Sequence, residues 1–166
     1  SPYSDRIRLF NEDFTLFAQR AENETSSSEK YDYILSNPPY FSQALPSPDE
    51  QRTRARHDTT LTCRGLMQGV ARLLAPEGRF ALIAPEEYAP AARAEAFAQK
   101  LYTCRQTLVS AKPAGSGTRR ILLEFGRTLE ICRTDSFHIQ EADGTYSARF
   151  QSLTEPLYRE GYFAAR

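Results

Sequence analysis

Residues 31–41 read Tyr-Asp-Tyr-Ile-Leu-Ser-Asn-Pro-Pro-Tyr-Phe. The first six are rich in aromatic and β-branched types and predict a strand over 31–36. Two consecutive prolines then stop it, because each fixes φ and removes a backbone donor. In an open α/β sheet, ligands bind beyond the carboxyl ends of the strands, so Asn37-Pro38-Pro39-Tyr40 stands where chemistry is done. The stiff backbone holds its carbonyls as fixed acceptors and Asn37 adds a side-chain acceptor. Together they can grip both hydrogens of an NH2 group, while Tyr40 offers a flat face for a base or an amide plane. The plainer reading is a strand-to-loop break, since Asn-Pro and Pro-Pro are common turn signals. The placement directly after an apolar strand, closed by an aromatic, favours the functional one.

Working outward, residues 6–10 (RIRLF) alternate as a strand, and a short helix follows over 15–21. The polar stretch 22–30 and the Pro- and Arg-rich stretch 41–58 read as loops. Cys63, Leu66, Met67, Val70 and Leu74 fall on one helical face and are stopped at Pro76-Glu77-Gly78. Residues 79–84 (RFALIA) form a buried strand, 85–88 a loop, and 90–101 an alanine-rich helix. Strands over 103–111 and 120–125 flank a Gly115-Ser116-Gly117 turn as an antiparallel pair. Residues 129–140 and 145–149 flank Asp143-Gly144 as a closing hairpin, and 151–158 end in a helical turn or two. Strands alternating with helices predict a mostly parallel sheet covered on both faces.

The chain has 166 residues, 40% hydrophobic and 25% charged, with no net charge. These values suit one globular domain and exclude a disordered or fibrous chain. No run approaches the roughly 20 apolar residues that span a bilayer. Ser1-Pro2-Tyr3-Ser4-Asp5 has neither a signal-peptide pattern nor an initiator methionine, so a segment upstream is expected to have been removed. Balanced charge leaves any nucleic-acid contact to a local patch. Only Lys30, Lys100 and Lys112 of the 21 basic residues are lysines. Arginine's planar fork suits phosphate recognition, although a genomic bias toward arginine is the plainer explanation of the excess. Cys63, Cys104 and Cys132 form no CxxC, which argues against a disulfide framework or zinc site and suits a reducing cytosol.

YDYILSNPPYF resembles the signature of S-adenosylmethionine-dependent amino-methyltransferases, (Asn/Asp/Ser)-Pro-Pro-(Tyr/Phe/Trp) at the end of the fourth strand. With SPYSDRIRLFNED before it, RTRARHDTTL and LLAPEGRFALIAPEEY after it, and RRILLEF and GTYSARFQSLTEPLYR near the end, nearly the whole chain resembles the bacterial tRNA1(Val) adenine-N6-methyltransferases. The resemblance implies a Rossmann-like class I methyltransferase sheet of the α/β class. It implies one partial S-adenosylmethionine-dependent methyltransferase domain over 1–166, truncated at the amino terminus. The first two strands, the glycine-rich cofactor turn and the acidic ribose-binding residue are all missing, and a late antiparallel strand pair is retained. Gly115-Ser116-Gly117 reads as a hairpin turn and not as that cradle.

The same resemblance implies the roles. Asp13 bonds the cofactor's adenine amine and Phe14 gives a backbone donor to the same ring. Asn37 and the Pro38 carbonyl accept from the target amine, Pro39 stiffens the turn, and Tyr40 stacks on the flipped base. Arg52, Arg54, Arg56 and His57 read as a phosphate grip or as a solvated loop, and Arg119 and Arg120 as tRNA contacts or ordinary surface. Glu86-Glu87 follows a strand's carboxyl end, where it could touch a base or simply begin a helix. His138 reads as structural.

The implied function is methyl transfer from S-adenosylmethionine to the N6 amine of an adenine in tRNA, next to the anticodon of tRNA(Val), in the cytoplasm, without metal or membrane. The alternatives are a release-factor glutamine N5-methyltransferase, an rRNA guanine N2-methyltransferase, or an inactive fragment. A missing amino-terminal segment or another copy of the chain is expected at the exposed sheet edge.

Overall fold

The computed structural model describes residues 4–23, 30–38, 61–113 and 119–158. The loops expected over 22–30 and 41–58 therefore lie mostly or wholly outside the described residues, as do Pro39, Tyr40, Arg52, Arg54, Arg56, His57 and the Gly115–Gly117 turn.

After a short 3-10 turn (Ser4–Arg6), the helices are α1 (Phe14–Asn23), α2 (Cys63–Leu73), α3 (Ala89–Ala98) and α4 (Ala148–Thr154). The strands are β1 (Tyr31–Ser36), β2 (Leu74–Pro85), β3 (Tyr102–Ser110), β4 (Arg120–Gly126) and β5 (Arg133–His138). They form one sheet in the order β1-β2-β4-β3-β5. β1 and β2 are parallel, as are β3 and β5, and β4 runs antiparallel to both of its neighbours.

The helices follow from local chemistry. Thr62 caps α2 by accepting from the Gly65 N–H at 3.0 Å. Leu66, Met67, Val70 and Leu73 are the face it buries. At its other end the Arg127 guanidinium donates to the Ala71 and Leu74 carbonyls at 2.6 and 2.9 Å, which satisfies acceptors that a helix terminus leaves open. On α3, Ala89, Ala92 and Ala96 are buried, and small side chains let its axis lie close to the sheet. It ends at Ala98; Lys100 just beyond has a left-handed φ of 57°, and the Leu101 N–H returns to the Ala96 carbonyl at 3.0 Å.

Helices α2 and α3 close the core against Phe80, Leu82, Ala84, Ile121, Leu123 and Phe125, with Phe14 of α1 packed at its margin. Phe80 and Phe125 stack across β2 and β4 with centroids 5.7 Å apart.

Several expectations are corrected. Residues 6–10 are not a strand: Leu9 is 93% exposed and no partner strand among the described residues meets this stretch. Alternation gives a strand its face, but only a neighbouring backbone satisfies its hydrogen bonds. The closing hairpin shrinks to one bridge between Gln140 and Tyr146. Residues 148–149 instead enter α4, because the Ser147 hydroxyl caps it by accepting from the Phe150 N–H at 3.2 Å. The sheet is mixed, not mostly parallel. Its second face is open at β1, where Tyr33 and Leu35 are 76% and 80% exposed. Strand β2 begins earlier than expected, at Leu74, because Leu74 pairs with Tyr31 ahead of a bulge.

Candidate functional site

The carboxyl end of β1 delivers Asn37 and Pro38. Pro38 is buried and Asn37 is exposed, so the proline seats the turn while the asparagine side chain faces outward. Asn37 follows Ser36, which is in register with Leu82 of β2. Three residues after Leu82, β2 ends at Pro85 and turns into a 3-10 segment, Glu86–Tyr88.

The start of β4 lies at this same end because the strand is antiparallel: Arg120 is in register with Pro85. Arg119 just before it pairs with Glu86, guanidinium to carboxylate, at 3.2 Å. The Glu86 N–H also donates to the Arg119 carbonyl at 3.4 Å. Both side chains are solvated, so the ion pair stabilises little by itself. Its effect is positional: it ties the end of β2 to the start of β4 beside Asn37. Behind it, burial raises the Tyr88 phenol pKa well above its usual range, and a hydrogen bond with the Cys63 thiol raises it further.

Asp13 and Phe14 open α1. Asp13 Oδ1 accepts from the Thr15 N–H at 2.8 Å, from the Leu16 N–H at 3.2 Å and from the Thr15 hydroxyl. The Thr15 hydroxyl, then the Leu16 amide, hold the carboxyl pKa below the usual carboxylate range. Asp13 is therefore a helix cap, with all three bonds on one oxygen. The Asp13 carbonyl takes the Phe17 N–H at 2.9 Å. Among the described residues, the Phe14 N–H meets no acceptor. The Phe14 ring lies on α2 so closely that a Cβ at Gly69 would sit 2.4 Å from its Cε1. A Cβ at Gly65, near the start of α2, would sit 3.2 Å from Thr15 Cγ2. Since α2 runs from the carboxyl end of β1 back to the start of β2, this contact puts the first turn of α1 at the carboxyl end of the sheet.

The structure thus brings Asp13, Phe14, Asn37, Pro38, Arg119 and Arg120 to one end of the sheet. A further cluster at this end escaped the sequence reading. Ser110 of β3 and Ser136 and His138 of β5 line a cavity of about 460 Å³, together with Arg119. The alternation of β5 carried the signal, but only its parallel pairing with β3 places it here. Among the described residues no group of three or more His, Cys, Asp or Glu could hold a metal ion, and no helix is long and apolar enough to cross a membrane.

No family model matches the chain. In fold it is similar to the crystal structure of the M1.HpyAVI–SAM complex, with a TM-score of 0.50 at 10% identity over 74% of this chain and 55% of that one. This likeness shows a class I, Rossmann-like methyltransferase fold. In sequence it is similar to the tRNA1(Val) (adenine(37)-N6)-methyltransferase of Bacteroides thetaiotaomicron, 39% identical over 158 residues, which are 95% of this chain and 63% of that protein. The proteins of the same name from Bacteroides fragilis and Aeromonas hydrophila are 36% and 38% identical over the same span, covering 64% and 63% of their lengths. The chain therefore spans a little under two thirds of these curated relatives. Over 95% of its length, the chain is thus similar to proteins named tRNA1(Val) (adenine(37)-N6)-methyltransferase.

Proposed function

We propose that the protein containing this chain transfers a methyl group from S-adenosylmethionine to the exocyclic N6 amine of adenine 37, beside the anticodon of a valine tRNA. The observation that carries the reading is the exposed Asn37 side chain set on a buried Pro38 at the carboxyl end of β1. Asn37 and the Pro38 carbonyl accept the two amine hydrogens. That draws the nitrogen lone pair out of conjugation with the purine ring and aims it along the transfer line. Tyr40 stacks on the flipped base. Positioning supplies most of the acceleration.

The first turn of α1 fits the adenine ring of the cofactor. The Phe14 N–H has no competing acceptor among the described residues, and Asp13 keeps its cap on one oxygen, Oδ1, leaving Oδ2 to meet the adenine amine. When bound, S-adenosylmethionine supplies an electrophilic sulfonium methyl. Arg52, Arg54, Arg56, His57, Arg119 and Arg120 meet the tRNA phosphates, and the reaction takes place in the cytoplasm. The outer edge of β1, where Tyr33 and Leu35 are exposed, is covered in the working protein, either by a further segment of its chain or by a second copy, because an exposed apolar edge invites aggregation.

The test is to incubate the full-length protein with S-adenosylmethionine and a valine tRNA transcript and identify the modified nucleoside by mass spectrometry. N6-methyladenosine at position 37 is expected. N2-methylguanosine in rRNA, or methylglutamine in a release factor, with no N6-methyladenosine in tRNA, would overturn the reading.

A further inference from the structure

The sheet order sets five groups in a row along its carboxyl end: Asn37 after β1, Glu86 after β2, Arg119 before β4, Ser110 ending β3, and His138 ending β5. The row ends in the cavity of about 460 Å³ lined by Leu108, Ser110, Ser136, Phe137, His138 and Arg119. Three interstrand spacings, about 14 Å, separate the β1 end from the β3 wall. Arg119 stands between them.

The lining is mixed in a way that suits a nucleotide. Leu108 and the His138 imidazole give an apolar patch and a flat ring. Ser110 and Ser136 carry hydroxyls; Ser110 donates its own to the Lys112 carbonyl at 3.1 Å, which leaves its oxygen as an acceptor. Arg119 brings a guanidinium. His138 Nε2 lies 3.1 Å from Glu141 Oε1, close enough for an ion pair, but off line for a hydrogen bond. Single-stranded RNA is recognised through such parts: unstacked bases against flat side chains, hydroxyls on the ribose and base edges, and arginine on the phosphate. The volume lies in the range of small-ligand sites.

We propose that this cavity receives a nucleotide of the substrate strand flanking the methylated adenosine, an inference that rests on the RNA-methylation reading above. Arg119 then contacts the phosphate between the two nucleotides. Its pairing with Glu86 holds the guanidinium on the path from Asn37 to the cavity.

The test fills the cavity from an exposed strand position. Ser136→Phe in the full-length protein should raise KM for an anticodon stem-loop RNA about tenfold and Ser136→Ala, which removes only the hydroxyl, about twofold, with kcat and S-adenosylmethionine affinity unchanged in both. Abasic substitutions walked along the loop of the RNA should reproduce the loss at one flanking position. At that position Ser136→Phe should add nothing further. Unchanged KM in a Ser136→Phe protein that melts like wild type, or additive losses at every position, would overturn the cavity assignment. Wild-type protein that makes no N6-methyladenosine would instead bring down the methylation reading, and the cavity assignment with it.

Discussion

Replacing Gly69 by alanine separates two opposing effects. In an ordinary helix interior the change stabilises by about 1 kcal/mol, because glycine loses more backbone entropy on folding. Gly69 is buried on α2, and the Phe14 ring occupies the space that its side chain would need. The new Cβ would lie 2.4 Å from Phe14 Cε1 and 2.9 Å from Cζ, about an ångström short of ordinary contact. The ring or α1 must move, at the roughly 1–3 kcal/mol typical of overpacking. The propensity gain is therefore cancelled or outweighed, and Gly69→Ala should lower the melting temperature or leave it unchanged. In a Phe14→Leu background the obstruction is gone, and the same substitution should stabilise by about 1 kcal/mol, roughly 2–4 °C for a chain of this size. A thermal double-mutant cycle reads the difference as coupling between the two positions. Equal stabilisation by Gly69→Ala in both backgrounds would refute the packing of α1 on α2 and the placement of the Phe14 amide that depends on it.

Other predictions follow from the same coordinates. Arg127→Met should cost about 2 kcal/mol in thermal unfolding, since it leaves the Ala71 and Leu74 carbonyls at the end of α2 without their charged donor; an unchanged melting temperature would show that the cap contributes nothing. Burial, and then nearby Glu124, push the Cys104 thiol up to about 11. A raised folded-state pKa gives stability that is complete below pH about 9 and is lost as pH rises toward 11. Cys104→Ala should flatten the stability–pH curve in that window, and parallel curves would contradict the shift. The 166-residue chain alone should bind S-adenosylmethionine weakly or undetectably in calorimetry, given that among the described residues no strand pairs with the outer edge of β1. Tight binding by a monomeric chain would contradict this.

How much of this could be read without coordinates depended on what each signal needed. Residues 31–36 form a strand with the expected bounds, because β-rich sequence ends at two prolines that stop any strand. The antiparallel pairing of β3 with β4 was legible because it is local, two apolar runs around a Gly-rich turn. Residues 6–10 alternate as well as any strand here, yet pairing is a property of the neighbour and not of the segment. Thr145 to Arg149 alternates too, but Ser147 commits the chain to α4 through a side-chain bond that outweighs pattern. The parallel seating of β5 on β3 is a long-range event with no local mark, so the cavity that it forms beside Arg119 stayed hidden. Asn37 is legible as a candidate because the chemistry proposed for it depends on adjacent residues, and the structure adds that it is exposed at the carboxyl end of β1. Asp13 is a candidate only through the family resemblance, and the structure adds that one of its oxygens is already committed to capping α1.

The central claim is that the turn after β1 holds an exocyclic amine for methyl transfer, and the measurement that tests it most directly is single-turnover methylation of valine tRNA by full-length Asn37→Ala. Removing one preorganised contact to the reacting group should slow the chemical step at least ~100-fold, with S-adenosylmethionine affinity little changed. N6-methyladenosine formed at the wild-type rate by that variant would contradict the account.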